Sequence, residues 1–418
     1  MFETVTILIV LAAAFGALNH RTLRLPFGIA MIIAGLLASM LVLGVDALWP
    51  GLGLSEALRE LVLEDIDFSE ALMHGMLGFL LFAGALHTDF DRLRAWIGPI
   101  ATLATVGVLL STTVIGLGAY GVTQVIGIEV PLAWCLVVGA LVSPTDPVAV
   151  LGIMKAAGAP KSVEIKVVGE SLFNDGVGVV VFSVLLAIAA GGGAHGEAVT
   201  AATIAELLAV EVVGGVALGL VAGWLTERLL RLLDEPNLEI LITIALVMAI
   251  SSVALQLHTS APLACVVAGL LIGNRGRATA MSATTQTALD QVWSFVDDAL
   301  NAILFLLIGL EVVAFEYSGA AVLGAALLIV VNLVVRSVAV FLPLSLFSRF
   351  MDFAPGTRSI LVWGGIKGGI SVALALSLPE FEGRGFLLAA VYAIVVSSVL
   401  GQGLTVGSLI ARYRAEEA

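Results

Sequence analysis

The chain has 418 residues, of which 60% are hydrophobic and 12% are charged, and its formal net charge is −13. A soluble domain carries about 25% charged residues, so this sequence lacks the polar surface that a water-soluble globule needs. Long apolar runs recur at about the 20-residue length of a membrane-spanning helix, without the alternation of a transmembrane barrel strand. The composition therefore predicts an all-α polytopic membrane protein.

The apolar segments predict about thirteen transmembrane helices. They lie at 3–18, 26–44, 69–87, 97–125, 131–154, 165–190, 205–230, 237–257, 261–273, 291–313, 319–347, 358–378 and 385–410. The segment at 261–273 is short for a membrane span. Thirteen spans place the two termini on opposite sides of the membrane.

Lysine and arginine are distributed unevenly between alternate loops. With the N-terminus outside, fifteen of the nineteen basic residues fall in inner loops, and only Arg59 and Arg384 fall in outer loops. Because cytoplasmic loops carry the excess of Lys and Arg, this pattern predicts a multi-pass protein of the cell inner membrane with a cytoplasmic C-terminus. The two remaining basic residues, Arg336 and Lys367, lie inside predicted helices, where charges are costly and usually functional.

The fifth segment is interrupted by two prolines, Pro144 and Pro147, which flank Thr145 and Asp146. Each proline removes a backbone donor and clashes with the preceding turn, so a continuous helix is not expected here. Unwound backbone at membrane depth is tolerated where it is buried in protein or lines a wet cavity. A simple proline kink is the alternative interpretation.

A second interruption is predicted in the twelfth segment, where four glycines surround Lys367 in the sequence GGIKGG. A close-packed helix face with a snorkelling lysine is the alternative. Asp146 and Lys367 are 221 residues apart, and the same offset relates helices four to six to helices eleven to thirteen. Counting spans, the second triplet enters from the opposite side, which predicts inverted six-helix repeats with two crossed broken helices.

Each broken helix ends in partial charges of about half a unit at the interruption. If the two interruptions cross, we expect Asp146 to neutralise the paired N-termini and Lys367 the paired C-termini. Paired interruptions in the two halves are typical of a transporter's binding site.

The sixth helix contains the sequence GESLFNDG, in which Glu170, Ser171, Asn174 and Asp175 share one polar face. Asp175 falls near the membrane midplane, where a carboxylate must take up a proton or hold a cation. Its carboxylate, the Ser171 hydroxyl and the oxygens of Thr145 are hard ligands that suit Na⁺. A permanently protonated, hydrogen-bonded Asp175 is the alternative.

Glu170 needs a cation to remain ionised, and Arg336 is the candidate because a guanidinium pairs with a carboxylate through two hydrogen bonds. We therefore predict a structural Glu170–Arg336 ion pair. Asn174 is expected either to donate to Glu170 or to orient Asp175.

These stretches resemble the monovalent cation:proton antiporter family of the NhaP and NHE type. The three matching stretches are Ser143–Val150 (SPTDPVAV), Glu170–Gly176 (ESLFNDG) and Trp363–Pro379 (WGGIKGGISVALALSLP). The resemblance implies a transporter rather than an enzyme, which exchanges Na⁺ or Li⁺ for H⁺ by alternating access. It also implies a homodimer in the lipid bilayer that uses no cofactor and binds no nucleic acid.

The family's site residues carry over to matching positions. The resemblance implies that Asp175 is the transporting carboxylate, that Thr145, Ser171 and Asn174 belong to the ion site, and that Glu170 and Arg336 form the structural ion pair. Two positions depart from the family pattern. Lys367 stands where arginine is usual, and Ala83 lies near where some members have an acidic residue.

The resemblance also implies a division into units. Residues 97–190 and 319–418 would form the ion-transport core, 1–96 and 236–318 the dimer scaffold, and 191–235 a linking helix. Within this scheme Asp175 is the one group free to titrate, which predicts electroneutral exchange of one Na⁺ for one H⁺. Potassium/proton exchange on the same scaffold and a cation channel remain alternatives.

Overall fold

The computed structural model describes residues 2–59, 75–191, 201–314 and 318–417. Regular structure in these ranges is helical. The main helices are α1 (Phe2–Arg21), α2 (Phe27–Leu48), α3 (Leu77–Leu86), α4 (Ile97–Ile126), α5 (Leu132–Val142), α6 (Val148–Ala157), α7 (Lys161–Ala189), α8 (201–230), α9 (Pro236–Leu257), α10 (Ala261–Leu271), α11 (Ala283–Leu310), α12 (Gly319–Phe347), α13 (Thr357–Trp363), α14 (Gly369–Leu376) and α15 (384–417). Short helical turns occupy Pro50–Leu52, Leu54–Arg59, Phe90–Ala95, Ile272–Gly276, Arg277–Ala280 and Glu311–Ala314.

Among the described residues, nine helices are long and apolar enough to cross a membrane: α1, α2, α4, α7, α8, α9, α11, α12 and α15. Leu77–Leu86 and Leu132–Val142 are shorter apolar helices. The predicted all-α polytopic membrane class is confirmed. The total of thirteen spans and the inverted repeat stay predictions, and the segment predicted at 69–87 is described only from residue 75 onwards.

Two helices begin earlier than their apolar sequence indicated. Helix α7 starts at Lys161, directly after Pro160, and α11 starts at Ala283. Ser282 caps α11 by accepting a hydrogen bond from the amide of Thr285, at 3.3 Å. The first turn of each helix is polar, so a prediction from apolar residues places both helix starts too late. Proline and serine, which precede these two helices, are common residues at helix starts.

The elements that carry the predicted site pack around one another. Helix α4 lies between α5 and α12, α7 packs on α5, and α12 contacts α15. Outside this group, α2 packs along α11, and α10 lies between α3 and α8. A contiguous apolar core joins α5, α14 and α15 around the two helix interruptions.

Candidate functional site

The two helix interruptions contact each other through their backbones. The chain is not helical between α5 and α6, nor between α13 and α14. In the first gap, the amide of Asp146 donates to the carbonyl of Ile366 in the second gap, at 2.7 Å. The amide of Lys367 donates to the Ser398 hydroxyl of α15, at 3.0 Å. Backbone amides that have no helical partner at the two interruptions therefore find hydrogen-bond acceptors inside the protein.

Cationic side chains face the C-terminal ends of both half-helices. The Lys367 ammonium donates to the carbonyls of Ser143 and Pro144, at 3.0 and 3.3 Å, just beyond the end of α5. Arg336 donates through Nη2 to the carbonyl of Leu361 in the last turn of α13, at 2.7 Å. Helix C-termini carry partial negative charge, so both contacts are electrostatically favourable.

The Asp146 side chain lies at the opposite ends of the half-helices. Gly368 immediately precedes α14, and a Cβ atom placed on it would lie 2.6 Å from Asp146 Oδ2. Helix α6 begins two residues after Asp146, at Val148. The Asp146 carboxylate therefore lies beside two helix N-termini, whose partial positive charge favours an anion.

Glu170 and Arg336 are in direct contact inside the protein. Nη1 of the guanidinium contacts Oε1 of the carboxylate, and Nη2 donates to Oε2 at 3.0 Å. Glu170 is 2% exposed and Arg336 is 7% exposed. Because both side chains are removed from solvent, each one neutralises the buried charge of the other.

A polar cluster connects the first interruption to α7. The Thr145 and Ser171 hydroxyls lie 2.9 Å apart, within hydrogen-bonding distance. The Asn174 amide donates to the Thr145 hydroxyl at 2.9 Å and accepts from the Thr145 backbone amide at 3.3 Å. Asn174 therefore fixes Thr145, and neither predicted partner, Glu170 or Asp175, is hydrogen-bonded to it among the described residues.

Asp175 lies at the midpoint of the 29-residue helix α7 and is 5% exposed. It lines a cavity of about 50 Å³ together with Asp146, Leu172 and Asn301. A space of this size accommodates a water molecule, and therefore also a small cation. The cavity lies where the first interruption meets α7 and α11.

The charged neighbours of Asp175 are Asp146 and Lys367. Within the described part of the chain, no donor is hydrogen-bonded to the Asp175 carboxylate: the Lys367 ammonium donates to backbone carbonyls, and the Asn174 amide donates to the Thr145 hydroxyl. Among the described residues, no protein group in direct contact therefore balances the negative charge of this carboxylate. A bound proton or a bound cation provides that compensation.

One polar residue of the cavity, Asn301, was not predicted from sequence. Asn301 of α11 lines it and donates to the carbonyl and to the carboxylate of Asp297, at 2.9 and 3.0 Å. The sequence signal for Asn301 was its position as a single amide side chain at the start of the apolar run NAILFLLIGL. Ala83 is buried on α3 but does not line the cavity, whereas Leu80, Leu81 and Gly84 of the same helix do.

Comparison with known proteins identifies relatives over nearly the whole chain. The family profile described as "Sodium/hydrogen exchanger, transmembrane" matches residues 7–412. The chain is 44% identical over 419 residues to the Na⁺/H⁺ antiporter NhaP of Pseudomonas aeruginosa, covering 99% of this chain and 97% of that protein. It is 31% identical over 415 residues to the Na⁺/H⁺ antiporter NhaH of Halobacillus dabanensis, covering 97% and 96%.

The fold is also similar to that of a solved antiporter. The structure of the sodium proton antiporter MjNhaP1 from Methanocaldococcus jannaschii at pH 8 superposes with a TM-score of 0.76 at 18% identity, covering 98% of both chains. The matched profile and the 44% identical relative both extend across α1 to α15, including the two interruptions and α7. The chain therefore belongs to the sodium/hydrogen exchanger family.

Proposed function

We propose that this chain is a secondary active transporter that exchanges Na⁺ for H⁺ across the membrane, with Asp175 binding either ion in turn. The observation that carries the proposal is the placement of Asp175. It is an almost fully buried carboxylate at the centre of a membrane-length helix, beside two broken helices and a small cavity. A site that needs one positive charge and accepts it from either ion couples the two fluxes.

The ligands proposed for Na⁺ are oxygen atoms of the first interruption and of α7. Thr145 and Ser171 supply hydroxyls 2.9 Å apart, and Asp175 occupies the turn of α7 that follows Ser171. Asn174 belongs to the site because its hydrogen bonds hold Thr145 in place. Carboxylate and hydroxyl oxygens are hard donors, which suit alkali cations rather than softer metals.

We propose a stoichiometry of one Na⁺ for one H⁺. Of the charged groups around Asp175, Glu170 is paired with Arg336, Lys367 is bound to helix C-terminal carbonyls, and Asp146 lies at helix N-termini. We expect these partners to hold the three groups in one charge state through the cycle. The loaded site then carries the same charge with either ion, so a membrane potential does not bias the cycle.

The relatives support the wider setting of this proposal. The proteins that match most of the chain are named Na⁺/H⁺ antiporters in Pseudomonas and Halobacillus. We propose that the chain works as a homodimer in the cell inner membrane, with the N-terminus outside and the C-terminus in the cytoplasm. Residues 97–190 and 319–418 would move as the ion-transport core against a scaffold of the remaining helices.

Purified protein in liposomes with an internal pH dye tests the proposal. An imposed Na⁺ gradient should drive proton movement in the opposite direction, and a valinomycin-clamped potential should leave the rate unchanged. Asp175→Asn should abolish exchange while the protein still unfolds at the wild-type temperature. Full exchange by Asp175→Asn would contradict the assignment of the site.

Two comparisons separate the alternatives. A K⁺ gradient that drives exchange better than a Na⁺ gradient would make the chain a potassium/proton antiporter on the same scaffold. Cation flux without proton counter-movement would make it a channel. Rates that follow the clamped voltage would refute electroneutrality and identify Lys367 or Glu170 as an additional proton carrier.

A further inference from the structure

The cavity beside Asp175 contains one polar side chain to which the proposed exchange assigns no role. Among the described residues, the polar side chains that line this cavity are those of Asp146, Asp175 and Asn301. Asp146 lies beside helix N-termini and Asp175 is the proposed ion carrier, which leaves the amide of Asn301. This side chain is 5% exposed and belongs to α11, a different helix from those that carry the two carboxylates. A buried polar group is expected to have partners for its donors and for its acceptor.

The hydrogen bonds of Asn301 identify the two ends of its amide. Nδ2 donates to the backbone carbonyl of Asp297 at 2.9 Å and to the Asp297 carboxylate at 3.0 Å. Both partners are acceptors, so the atom that contacts them must be the amide nitrogen, and both of its hydrogens are used. The Asn301 oxygen therefore points away from Asp297, and within the described part of the chain it accepts no hydrogen bond. The amide thus has a free oxygen and no free hydrogen.

The turn of α11 that carries Asn301 is packed against the second interruption. Leu304, three residues further along α11, lines the same cavity, and residues three apart are neighbours on one helix face. A Cβ atom placed on Gly369, the first residue of α14, would overlap the Leu304 side chain. The two helices therefore touch beside the cavity. Packing of Leu304 on one side and the hydrogen bonds to Asp297 on the other hold the Asn301 amide in place.

We propose that Asn301 supplies a further, uncharged oxygen ligand to the Na⁺ ion at Asp175, and that Asp297 is the positioning residue that orients this oxygen. Amide carbonyl oxygens are hard ligands, like carboxylates, and suit hard cations. An amide ligand adds no charge, so the loaded site still carries the same charge with Na⁺ or with H⁺. A proton needs only the Asp175 carboxylate, so the Na⁺ affinity is the quantity that the Asn301 oxygen sets. The role of Asn301 as a ligand rests on the proposed exchange at Asp175.

Asn301→Leu removes the oxygen and keeps a side chain of similar size. In liposomes, the apparent KM for Na⁺ should rise about tenfold, roughly the value of one polar ligand, while the maximal rate stays close to that of the wild type. In detergent, the Na⁺ concentration that raises the unfolding temperature should increase by the same factor, because Na⁺ stabilises the folded state that binds it. Asn332→Leu is the matched control. Asn332 is also an amide in a membrane-length helix and is 4% exposed, but it is not among the residues that line the cavity.

Two substitutions of Asp297 separate orientation from charge and leave the Asn301 amide intact. Asp297→Asn keeps a side-chain oxygen that can accept from Asn301, so the apparent KM for Na⁺ should change by about twofold or less. Asp297→Leu removes this acceptor and leaves only the backbone carbonyl, so the apparent KM should rise about fivefold. Equal increases in the two variants would mean that Asp297 acts through its charge, and would overturn its positioning role.

Asp175→Asn, measured beside these variants, separates failure of the ligand role from failure of the proposed exchange. The ligand role is overturned if Asn301→Leu keeps the wild-type KM for Na⁺, or if Asn332→Leu raises the KM equally. It is also overturned if Asn301→Leu lowers only the maximal rate or the unfolding temperature without Na⁺, which is the result of a merely structural amide. In each of these cases an inactive Asp175→Asn variant leaves Asp175 as the ion carrier. Full exchange by Asp175→Asn would instead contradict the proposed site itself.

Discussion

Substitution of either member of the Glu170–Arg336 pair tests whether this buried contact holds the core helices together. Glu170 lies on α7 and Arg336 on α12, and the pair is a direct polar link between the two helices. Glu170→Gln leaves a buried guanidinium without its counter-charge, and Arg336→Met leaves a buried carboxylate. Each single variant should lose about 3–5 kcal/mol of unfolding free energy, the typical cost of breaking a buried ion pair.

The two single variants should not be equally unstable. Arg336 also donates to the carbonyl of Leu361, so Arg336→Met leaves that carbonyl unpaired as well. An unsatisfied buried acceptor costs about 1–3 kcal/mol. The double variant removes both charges and should retain only the smaller costs of the unpaired carbonyl and of the buried glutamine amide, so it should be more stable than either single variant. This recovery is the coupling that a double-mutant cycle measures.

The assay is unfolding of the detergent-solubilised protein, followed by the fluorescence of its six tryptophans. Glu380→Gln is the matched control. Glu380 contacts Arg384 at 2.9 Å, but the Glu380 side chain is 86% exposed. Its loss should cost about 0–1 kcal/mol, as is usual for a surface pair.

The reasoning is refuted if Glu170→Gln and Arg336→Met unfold like Glu380→Gln. It is also refuted if the losses of the two single variants add in the double variant. Additivity would mean that the two side chains act independently.

Three further substitutions test the site around the interruptions. Thr145→Val should weaken the apparent Na⁺ affinity about tenfold in a liposome assay, roughly the value of one polar ligand, while Thr145→Ser should remain close to wild type. Gly368→Ala should cost about 1–3 kcal/mol of unfolding free energy, because its Cβ would overlap Asp146, whereas Gly121→Ala, which has open space around it, should be neutral or stabilising. Lys367→Met should destabilise the protein because the carbonyls at the end of α5 lose their donor, whereas Lys367→Arg should retain stability and exchange. Equal unfolding temperatures for the Met and Arg variants would contradict the role of Lys367 as a donor to these carbonyls.

The membrane class, the two interruptions and the polar face of α7 were accessible from sequence because each has a local cause. Prolines and glycines disrupt helices wherever they occur, and Glu170 and Asp175 are conspicuous in an apolar helix. The contact between Glu170 and Arg336 was also accessible, since a buried carboxylate far from water requires a cation.

Other features depend on three-dimensional packing and were not accessible. Asn174 was predicted to donate to Glu170 or to orient Asp175, but it is hydrogen-bonded to Thr145, because the first interruption packs against this turn of α7. The contribution of Asn301 depends on how α11 packs beside the first interruption. Helix starts were placed late where the first turn is polar, as in α11, because capping rather than apolarity defines the end.

The central claim is that Asp175 holds either a proton or Na⁺, but not both. The most direct test is the apparent Na⁺ affinity of exchange, measured in liposomes at a series of pH values. With one shared carboxylate, protons compete with Na⁺, so in the acidic range the apparent KM for Na⁺ should rise about tenfold for each unit of decrease in pH. An apparent KM that stays constant over the same range would mean that the two ions bind at different groups, and would contradict the account.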